Sequence, residues 1–246
     1  MNRLVSTGRG AVQSAKMGFR KVTHVIFDMD GLLLDTETLY TKVTQAILDE
    51  YGGGQTYTWD VKVSMMGLQR EEVAERLIEL YNLPLTPQQY IDLTQDHIHH
   101  LMADCKQMPG AEKLVRHLHD NKIPIALATS SSKESTDVKT AQHKALFDLF
   151  HHKVMGSSDA DVKNGKPAPD IFLVAASRFP DNPSPENCLV FEDAPNGVKA
   201  ARSAGMQVVM VPDEHIGEDQ KKEATVVLKS LEDVKLEDFG LPPLHA

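Results

Sequence analysis

The sequence is poor in cysteine, and its two cysteines do not form the patterns of a disulfide framework or a zinc site. Cys105 and Cys188 lie far apart, and neither belongs to a Cys-x-x-Cys pair, the spacing typical of zinc and redox motifs. This use of cysteine fits a protein that is kept in a reducing compartment.

Long apolar runs and an excess of positive charge are also missing. The longest apolar stretches, such as Val208–Val211, are a few residues long, whereas a membrane-spanning helix needs about 20. We therefore expect no membrane span. Lysine and arginine number 26 against 35 acidic residues, a formal net charge of -9, which argues against a nucleic-acid partner.

The composition is that of a folded globular protein. Hydrophobic residues make up 41% and charged residues 25% of the chain, close to the average for such proteins, which excludes disordered, collagen-like and low-complexity classes. The 246 residues suffice for one large domain, or for a core domain with a smaller insert.

Residues 1–21 form a basic leader, since the first acidic residue of the chain is Asp28. Such a leader is typical either of a disordered extension before an alternative start at Met17 or of a mitochondrial transit peptide. Because it lacks a long apolar face, we expect a disordered extension and a cytoplasmic protein, with mitochondrial import as the alternative.

Beyond the leader, short apolar runs alternate with segments of helical periodicity, which predicts an α/β fold with a Rossmann-like, doubly wound parallel sheet. Between the runs, Ala111, Leu114, Val115 and Leu118 recur with helical spacing, and Pro109 is placed to open that helix. The predicted strands are Val22–Asp28, Ile123–Thr129, His152–Gly156, Cys188–Asp193, Gln207–Pro212 and, more weakly, Thr225–Leu228.

The alternation is interrupted between residues 36 and 105, where the apolar spacing is helical throughout. We predict a small all-helical cap over 36–105, inserted into a core that comprises 22–35 and 106–246. Three helices are recognisable, from the stripe Leu39, Val43 and Ile47, from the stripe Val73, Leu77 and Leu80, and from a capping box that joins Thr86 to Gln89.

The end of the first predicted strand carries two carboxylates, Asp28 and Asp30. At this spacing an extended backbone aims both side chains to one side, and ligands of open parallel sheets bind at the carboxyl ends of the strands. The spacing alone is equally typical of two solvated acids in a turn before Gly31.

Three other segments place polar groups where further strands end: Thr129–Ser130, Lys166, and Glu192–Asp193. Taken singly, they read as a helix cap, a surface lysine and an acidic first helical turn. Taken together, they place acids, hydroxyls and a cation along one edge of one sheet. Clustered carboxylates suit a hard cation such as Mg2+, and the whole set suits phosphoryl transfer, which depends mainly on positioning and electrostatics.

These residues and their surroundings resemble the haloacid dehalogenase superfamily of phosphatases, in the subgroup with a helical cap after the first strand. The segments that carry the resemblance are Phe27–Glu37 (FDMDGLLLDTE), Met108–Lys113 (MPGAEK), Gly165–Pro167 (GKP) and Phe191–Gly197 (FEDAPNG). The superfamily's dehalogenases lack the second acid, so the presence of Asp30 disfavours dehalogenation.

The resemblance implies a role for each position. Asp28 would be the nucleophile that forms an aspartyl-phosphate, and Asp30 the general acid and base. Thr129, Ser130 and Lys166 would bind the phosphoryl group. Mg2+ would be held by Asp28, by the main-chain carbonyl of Asp30 and by Asp193, with Glu192 holding a metal-bound water.

The resemblance further implies hydrolysis of a small sugar or nucleoside phosphate, with pseudouridine 5'-phosphate as the leading candidate substrate. A β-phosphoglucomutase-like phosphosugar mutase, or another sugar-phosphate or glycerol-phosphate phosphatase, remains an alternative. A response-regulator receiver would carry similar residues, but with its acid pair first and without a helical insert of this size. The sequence leaves the oligomeric state open, and we expect a monomer.

Overall fold

The computed structural model describes residues 19–65, 70–101 and 105–244, without the side chains of His99 and His100. These residues contain a six-stranded, fully parallel sheet. Its strands are β1 (His24–Phe27), β2 (Ile125–Thr129), β3 (His152–Met155), β4 (Cys188–Glu192), β5 (Gln207–Met210) and β6 (Val226–Val227). The spatial order is β3-β2-β1-β4-β5-β6, so the chain winds outward in both directions from β1. The predicted doubly wound, Rossmann-like sheet is confirmed.

Every predicted strand is present, and all six are shorter than predicted. The first pairs only over His24–Phe27, because these are the positions that have partners on β2 and β4. Asp28 lies just beyond it, with its amide donating to the carbonyl of Phe191 at 3.0 Å. The sequence pattern therefore located the strands, and the pairing partners set their ends.

Helices flank the sheet and pack against both of its faces. Val25 and Phe27 face one apolar cluster, whereas Ile26 between them faces the other, as expected for a strand that is buried on both sides. Phe27 stacks on Phe191 of the neighbouring strand, with 5.0 Å between ring centroids. The helices after residue 105 are α5 (Ala111–Asp120), α6 (Lys133–Thr140), α7 (Lys144–Phe147), α8 (Asp170–Ser177), α9 (Pro195–Ser203) and α10 (Glu218–Lys221), and α10 has no buried residue.

The four earlier helices have an apolar cluster of their own. They are α1 (Thr36–Tyr51), α2 (Trp59–Met65), α3 (Arg70–Tyr81) and α4 (Pro87–Leu101). The capping box is present, since Thr86 accepts from the amide of Gln89 at 3.3 Å and Gln89 accepts from the amide of Thr86 at 2.8 Å.

Two predictions in the helical regions need correction. The buried residues of α3 are Ala74, Leu77 and Tyr81, whereas Leu80, which we placed on the inner stripe, is 52% exposed. The angle of 100° per residue turns Leu80 away from a face that is centred on Leu77 and Tyr81. In addition, α5 begins at Ala111 after Gly110, so Pro109 precedes the helix by two residues instead of opening it.

The chain passes between the sheet and the four helices through two segments that are bonded to each other. The amide of Asp35 donates to the carbonyl of Lys106 at 2.8 Å, and the amide of Met108 donates to the carbonyl of Leu33 at 2.9 Å. The helical insertion therefore starts and ends at neighbouring positions, shortly after the carboxyl end of β1 in the chain.

The last residues of the predicted leader contact the core. Phe19 stacks on Phe239 at 4.9 Å, and the main chain of Arg20 exchanges two hydrogen bonds with the side chain of Gln207, at 3.0 and 2.7 Å. The rest of the leader prediction, over residues 1–18, lies outside the described residues. Among the described helices, none combines the length and the apolar character that a membrane crossing requires.

Candidate active site

Three adjacent strands end in polar side chains at one edge of the sheet. Asp28 follows β1, Thr129 closes β2, and Glu192 closes β4, with Asp193 directly after it. The order of the strands diverges at β1 and β4, which is the place where open parallel sheets bind ligands. Gly31, at a φ of +81°, turns the chain away just after Asp30, and a Cβ there would lie 2.3 Å from a carboxylate oxygen of Asp193. A glycine is therefore needed for the two motifs to approach each other.

The first group of side chains is an acidic cluster made of Asp28, Glu192 and Asp193. Each offers a carboxylate oxygen, and these oxygens lie within 4.8 Å of one another. All three residues are buried. Lys166 reaches into the cluster and donates to Asp28 Oδ1 at 2.5 Å and to Glu192 Oε1 at 2.6 Å.

The acidic cluster is electrostatically suited to hold a divalent cation. Burial raises the pKa of Asp28 to about 7, with Lys166 opposing the rise. Burial, followed by the charges of Glu192 and Asp28, also raises the pKa of Asp193 well above its ordinary value. When all three carboxylates are ionised, Lys166 balances one charge and two remain in a buried site, which is costly without a counter-ion. An oxygen-only donor set of this kind fits Mg2+.

Glu192 is held more firmly than the other two acids. Its Oε2 accepts from the amides of Asp193 at 3.0 Å and Ala194 at 3.1 Å, while its Oε1 faces Lys166. With both oxygens already engaged, Glu192 is better placed to support the cluster and to orient a water than to give up its bonds to an ion.

The second group of side chains surrounds Asp30. Its Oδ1 accepts from Lys139 Nζ at 2.5 Å, and its Oδ2 accepts from Ser131 Oγ at 2.9 Å and from Thr129 Oγ1 at 3.1 Å. Burial alone would raise the pKa of Asp30, but the charge of Lys139 and the hydrogen bonds from Lys139 and Ser131 bring it below its ordinary value. Asp30 is therefore held as a carboxylate in this arrangement.

The structure brings most of the predicted site residues into these two groups. Asp28, Lys166, Glu192 and Asp193 meet in one, and Asp30 meets Thr129 in the other. The hydroxyl of Thr129, predicted to bind a phosphoryl group, here donates to Asp30 instead. Ser130 is exposed beside them, and its carbonyl accepts from Ser157 Oγ at 2.6 Å.

Two residues near Asp30 were not predicted from the sequence: Ser131 and Lys139. A signal for Lys139 was present, because Thr136, Lys139 and Thr140 share the spacing of one helix face, and all three are buried in α6. Lysine is so rarely buried that this spacing was easily overlooked.

A further unpredicted ion pair lies above the acidic cluster, between α1 and α2. Lys62 Nζ lies 3.3 Å from Glu37 Oε2 and donates to Thr41 Oγ1 at 2.8 Å. The charge of Glu37 adds to the rise in the pKa of Asp193, so Glu37 belongs to the electrostatic surroundings of the cluster. Trp59 of α2 contacts His215 of the sheet domain at 4.3 Å between ring centroids.

Comparison with known proteins identifies similar chains. The sequence model of the haloacid dehalogenase-like hydrolase family matches residues 25–211 of this chain. A probable pseudouridine-5'-phosphatase of Drosophila melanogaster is 57% identical over 223 residues, covering 91% of this chain and 96% of the fly protein. A (DL)-glycerol-3-phosphatase 1, mitochondrial, of Arabidopsis thaliana is 46% identical over 228 residues, covering 92% of this chain and 76% of the plant protein. The crystal structure of a putative β-phosphoglucomutase from Thermotoga maritima is 30% identical with a TM-score of 0.68, covering 86% of this chain and 96% of that one.

Proposed function

The chain belongs to the haloacid dehalogenase-like hydrolases and is a phosphoric monoester hydrolase, and we propose that it converts pseudouridine 5'-phosphate to pseudouridine and phosphate with Mg2+ and an aspartyl-phosphate intermediate. The observation that carries the mechanism is the buried acidic cluster with Lys166 bonded to two of its members. The name of the fly relative supports the choice of substrate.

The metal would be held by the carboxylates of Asp28 and Asp193 and by the main-chain carbonyl of Asp30, with Glu192 holding a metal-bound water. When bound, Mg2+ supplies positive charge that offsets the negative charge of the phosphoryl group. Lys166 would add to this neutralisation, because its ammonium group is held between Asp28 and Glu192.

Asp28 is the proposed nucleophile. Its carboxylate attacks phosphorus, the bond between phosphorus and the ester oxygen breaks, and Asp30 donates a proton to the departing alkoxide. Water then attacks the aspartyl-phosphate while Asp30 takes up a proton from it, which releases phosphate and restores both carboxyl groups. Thr129 and the amide of Ser130 bind the phosphoryl oxygens in this scheme, so the bond between Thr129 and Asp30 must open when substrate enters.

Two other substrates are alternatives, each favoured by a relative. The plant relative is named for glycerol 3-phosphate, and the structural neighbour is described as a putative mutase of a phosphosugar. A mutase would pass the phosphoryl group to a sugar hydroxyl, whereas the proposed reaction passes it to water. Accumulation of free phosphate therefore distinguishes the hydrolase reaction from the mutase reaction.

We also propose that residues 36–105 act as a cap on a core of 22–35 and 106–246, and that the cap selects the leaving group and limits access of water. The proposal is supported by Glu37 of α1, which pairs with Lys62 of α2 and whose charge raises the pKa of Asp193. We further propose that the protein acts as a monomer in the cytoplasm, with mitochondrial import, which the name of the plant relative supports, as the alternative.

Phosphate release from a substrate panel tests the proposal. The panel contains pseudouridine 5'-phosphate, the common nucleoside monophosphates, sugar phosphates and glycerol 3-phosphate, each assayed with Mg2+ and with a chelator. We expect kcat/KM for pseudouridine 5'-phosphate to exceed the others by more than about tenfold, or roughly 1.4 kcal/mol of transition-state discrimination. A preference of that size for glycerol 3-phosphate would rule out pseudouridine 5'-phosphate as the main substrate. Turnover by Asp28→Asn near the wild-type rate would rule out Asp28 as the nucleophile.

A further inference from the structure

Lys139 is a buried lysine outside the acidic cluster and outside every role assigned above. Its side chain is 1% exposed, and it lies on α6, 109 residues along the chain from Asp30. A buried ammonium group is costly unless it is paired and hydrogen-bonded. Its partner here is the carboxylate of Asp30, at 2.5 Å.

The contacts of Lys139 form a closed set around Asp30. Lys139 Nζ donates to Asp30 Oδ1 and also to Ser131 Oγ, at 2.9 Å, and Ser131 Oγ in turn donates to Asp30 Oδ2 at 2.9 Å. Each oxygen of the carboxylate thus has its own donor, and the two donors are bonded to each other. Rotation of the carboxylate would break at least two of these bonds.

Lys139 is itself held in place from a different element. The ring of Tyr40 on α1 lies 5.1 Å from Lys139 Nζ, and the whole lysine side chain is buried, as are Thr136 and Thr140 on the same helix. The ammonium group is therefore contacted by Tyr40 in addition to its bonds to Asp30 and Ser131. A cation that is held this way can define the orientation of the carboxylate, whereas a mobile surface lysine cannot.

We propose, building on the proposed function, that Lys139 is a positioning residue that orients the Asp30 carboxyl group toward the leaving oxygen of the substrate. A proton donor must lie within hydrogen-bond reach of the atom it protonates, and a misplacement of about 1 Å can lower a rate by about 100-fold. Thr129 leaves Asp30 to bind the phosphoryl group in the proposed mechanism. Lys139 and Ser131 then remain to hold Asp30.

The role predicts a dependence on the leaving group. Alkyl phosphates need a proton on the departing oxygen, whereas an aryl phosphate such as p-nitrophenyl phosphate has a good leaving group and needs it much less. Lys139→Met keeps the length of the stem and removes the ammonium group. We expect it to lower kcat/KM, which reports the step that expels the leaving group, by about 10- to 100-fold for an alkyl phosphate and by less than about threefold for the aryl phosphate. A loss in the later attack of water, where Asp30 acts as the base, is common to both substrates and enters kcat alone.

Lys133→Met is the matched control, because Lys133 lies on the same helix, is 62% exposed and pairs only with Asp137 in the described contacts. It should leave both rates within about twofold of wild type. Lys139→Met is also made in an Asp30→Asn background. If Lys139 acts through Asp30, the second substitution should change kcat/KM by less than about twofold there.

An equal loss of kcat/KM for alkyl and aryl phosphates, or a further loss of about tenfold in the Asp30→Asn background, would overturn the proposal. If Lys139→Met does not fold by circular dichroism, Ser131→Ala replaces it, since it removes the other linked donor and keeps the ion pair. Ser131→Ala should also lower kcat/KM more for the alkyl than for the aryl phosphate, but by a smaller factor. An equal loss of kcat/KM for both substrates would count against the positioning role. Failure of the proposed function is distinct, because it would show as normal turnover by Asp28→Asn.

Discussion

Replacing Gly197 by alanine is expected to disrupt the acidic cluster, although alanine is the better helix former. Gly197 is buried in the first turn of α9, next to Glu192. A Cβ on this residue would lie 1.8 Å from Glu192 Oε1, 1.9 Å from Cδ and 2.4 Å from Oε2. The carboxyl group of Glu192 therefore has to move if the substitution is made.

Two effects of opposite sign decide the outcome. Helix propensity favours alanine over glycine by about 1 kcal/mol. Against this, a displaced Glu192 loses the ammonium group of Lys166 and the amides of Asp193 and Ala194, and a hydrogen bond to a charged group contributes about 1.5–3 kcal/mol. Even if only two of these three bonds are lost, the loss outweighs the gain, so we expect a net destabilisation of about 3 kcal/mol. At about 2–4 °C per kcal/mol for a chain of this size, Tm should fall by roughly 10 °C.

Thermal unfolding followed by circular dichroism measures the effect, and Mg2+ titration of the same samples measures damage to the cluster. Gly217→Ala is the control, because the nearest atom that its Cβ would meet is 3.7 Å away. In a Glu192→Ala background the carboxyl group that blocks the new Cβ is absent, so adding Gly197→Ala there should lower Tm only slightly or even raise it. A Gly197→Ala protein with the Tm and Mg2+ affinity of wild type would refute the packing argument.

Three other outcomes are expected. Burial raises the pKa of Asp28 to about 7, above its unfolded value, so the metal-free protein should lose stability as pH rises from about 4 through 7, with Asp28 contributing about 1.4 kcal/mol for each pH unit well below 7. Tm measured against pH in a chelator tests this, and Asp28→Asn should reduce the slope but leave the part due to Asp193, whose pKa burial also raises. Burial raises the pKa of Cys105 to about 11 and of Cys188 to about 12, so both thiols should react with a disulfide reagent slowly in the native state and quickly in denaturant, whereas rapid native labelling would contradict their burial. Phe191→Ala should lower the unfolding free energy by about 3–5 kcal/mol in urea, and Leu80→Ala, at a 52% exposed residue, by less than about 0.5.

Much of the sheet could be predicted because its strands are buried on both faces and read as short apolar runs. The same reasoning found no sign of α2, whose seven residues (Trp59–Met65) are too few to show a helical period. In α3, Val73, Leu77 and Leu80 suggested a stripe, yet Ala74 and Tyr81 are the buried neighbours of Leu77. Side-chain size and the position of the partner helix decided that face, and neither is visible in the spacing of one helix.

The site could be predicted from the sequence for those candidate residues that lie at the ends of strands. Asp28, Thr129, Glu192 and Asp193 each stand at or just after a strand end, so the topology alone places them together. Lys139 stands at the end of a helix, and its pairing with Asp30 depends on how α6 packs. A contact of this kind arises from tertiary packing, which no local pattern encodes.

The charge distribution of the protein alone runs opposite to what the proposed chemistry needs. Asp28, the proposed nucleophile, has its pKa raised by burial, whereas Asp30, the proposed acid, has its pKa lowered by Lys139 and Ser131 against the effect of burial. A divalent cation in the acidic cluster favours the ionised form of Asp28. A phosphoryl group that takes the hydroxyl of Thr129 removes one donor from Asp30 and adds negative charge beside it, and both changes favour its protonated form. Cation and substrate thus act on different carboxylates in opposite directions, and under the proposed mechanism the two must bind together for nucleophile and acid to reach their working protonation states.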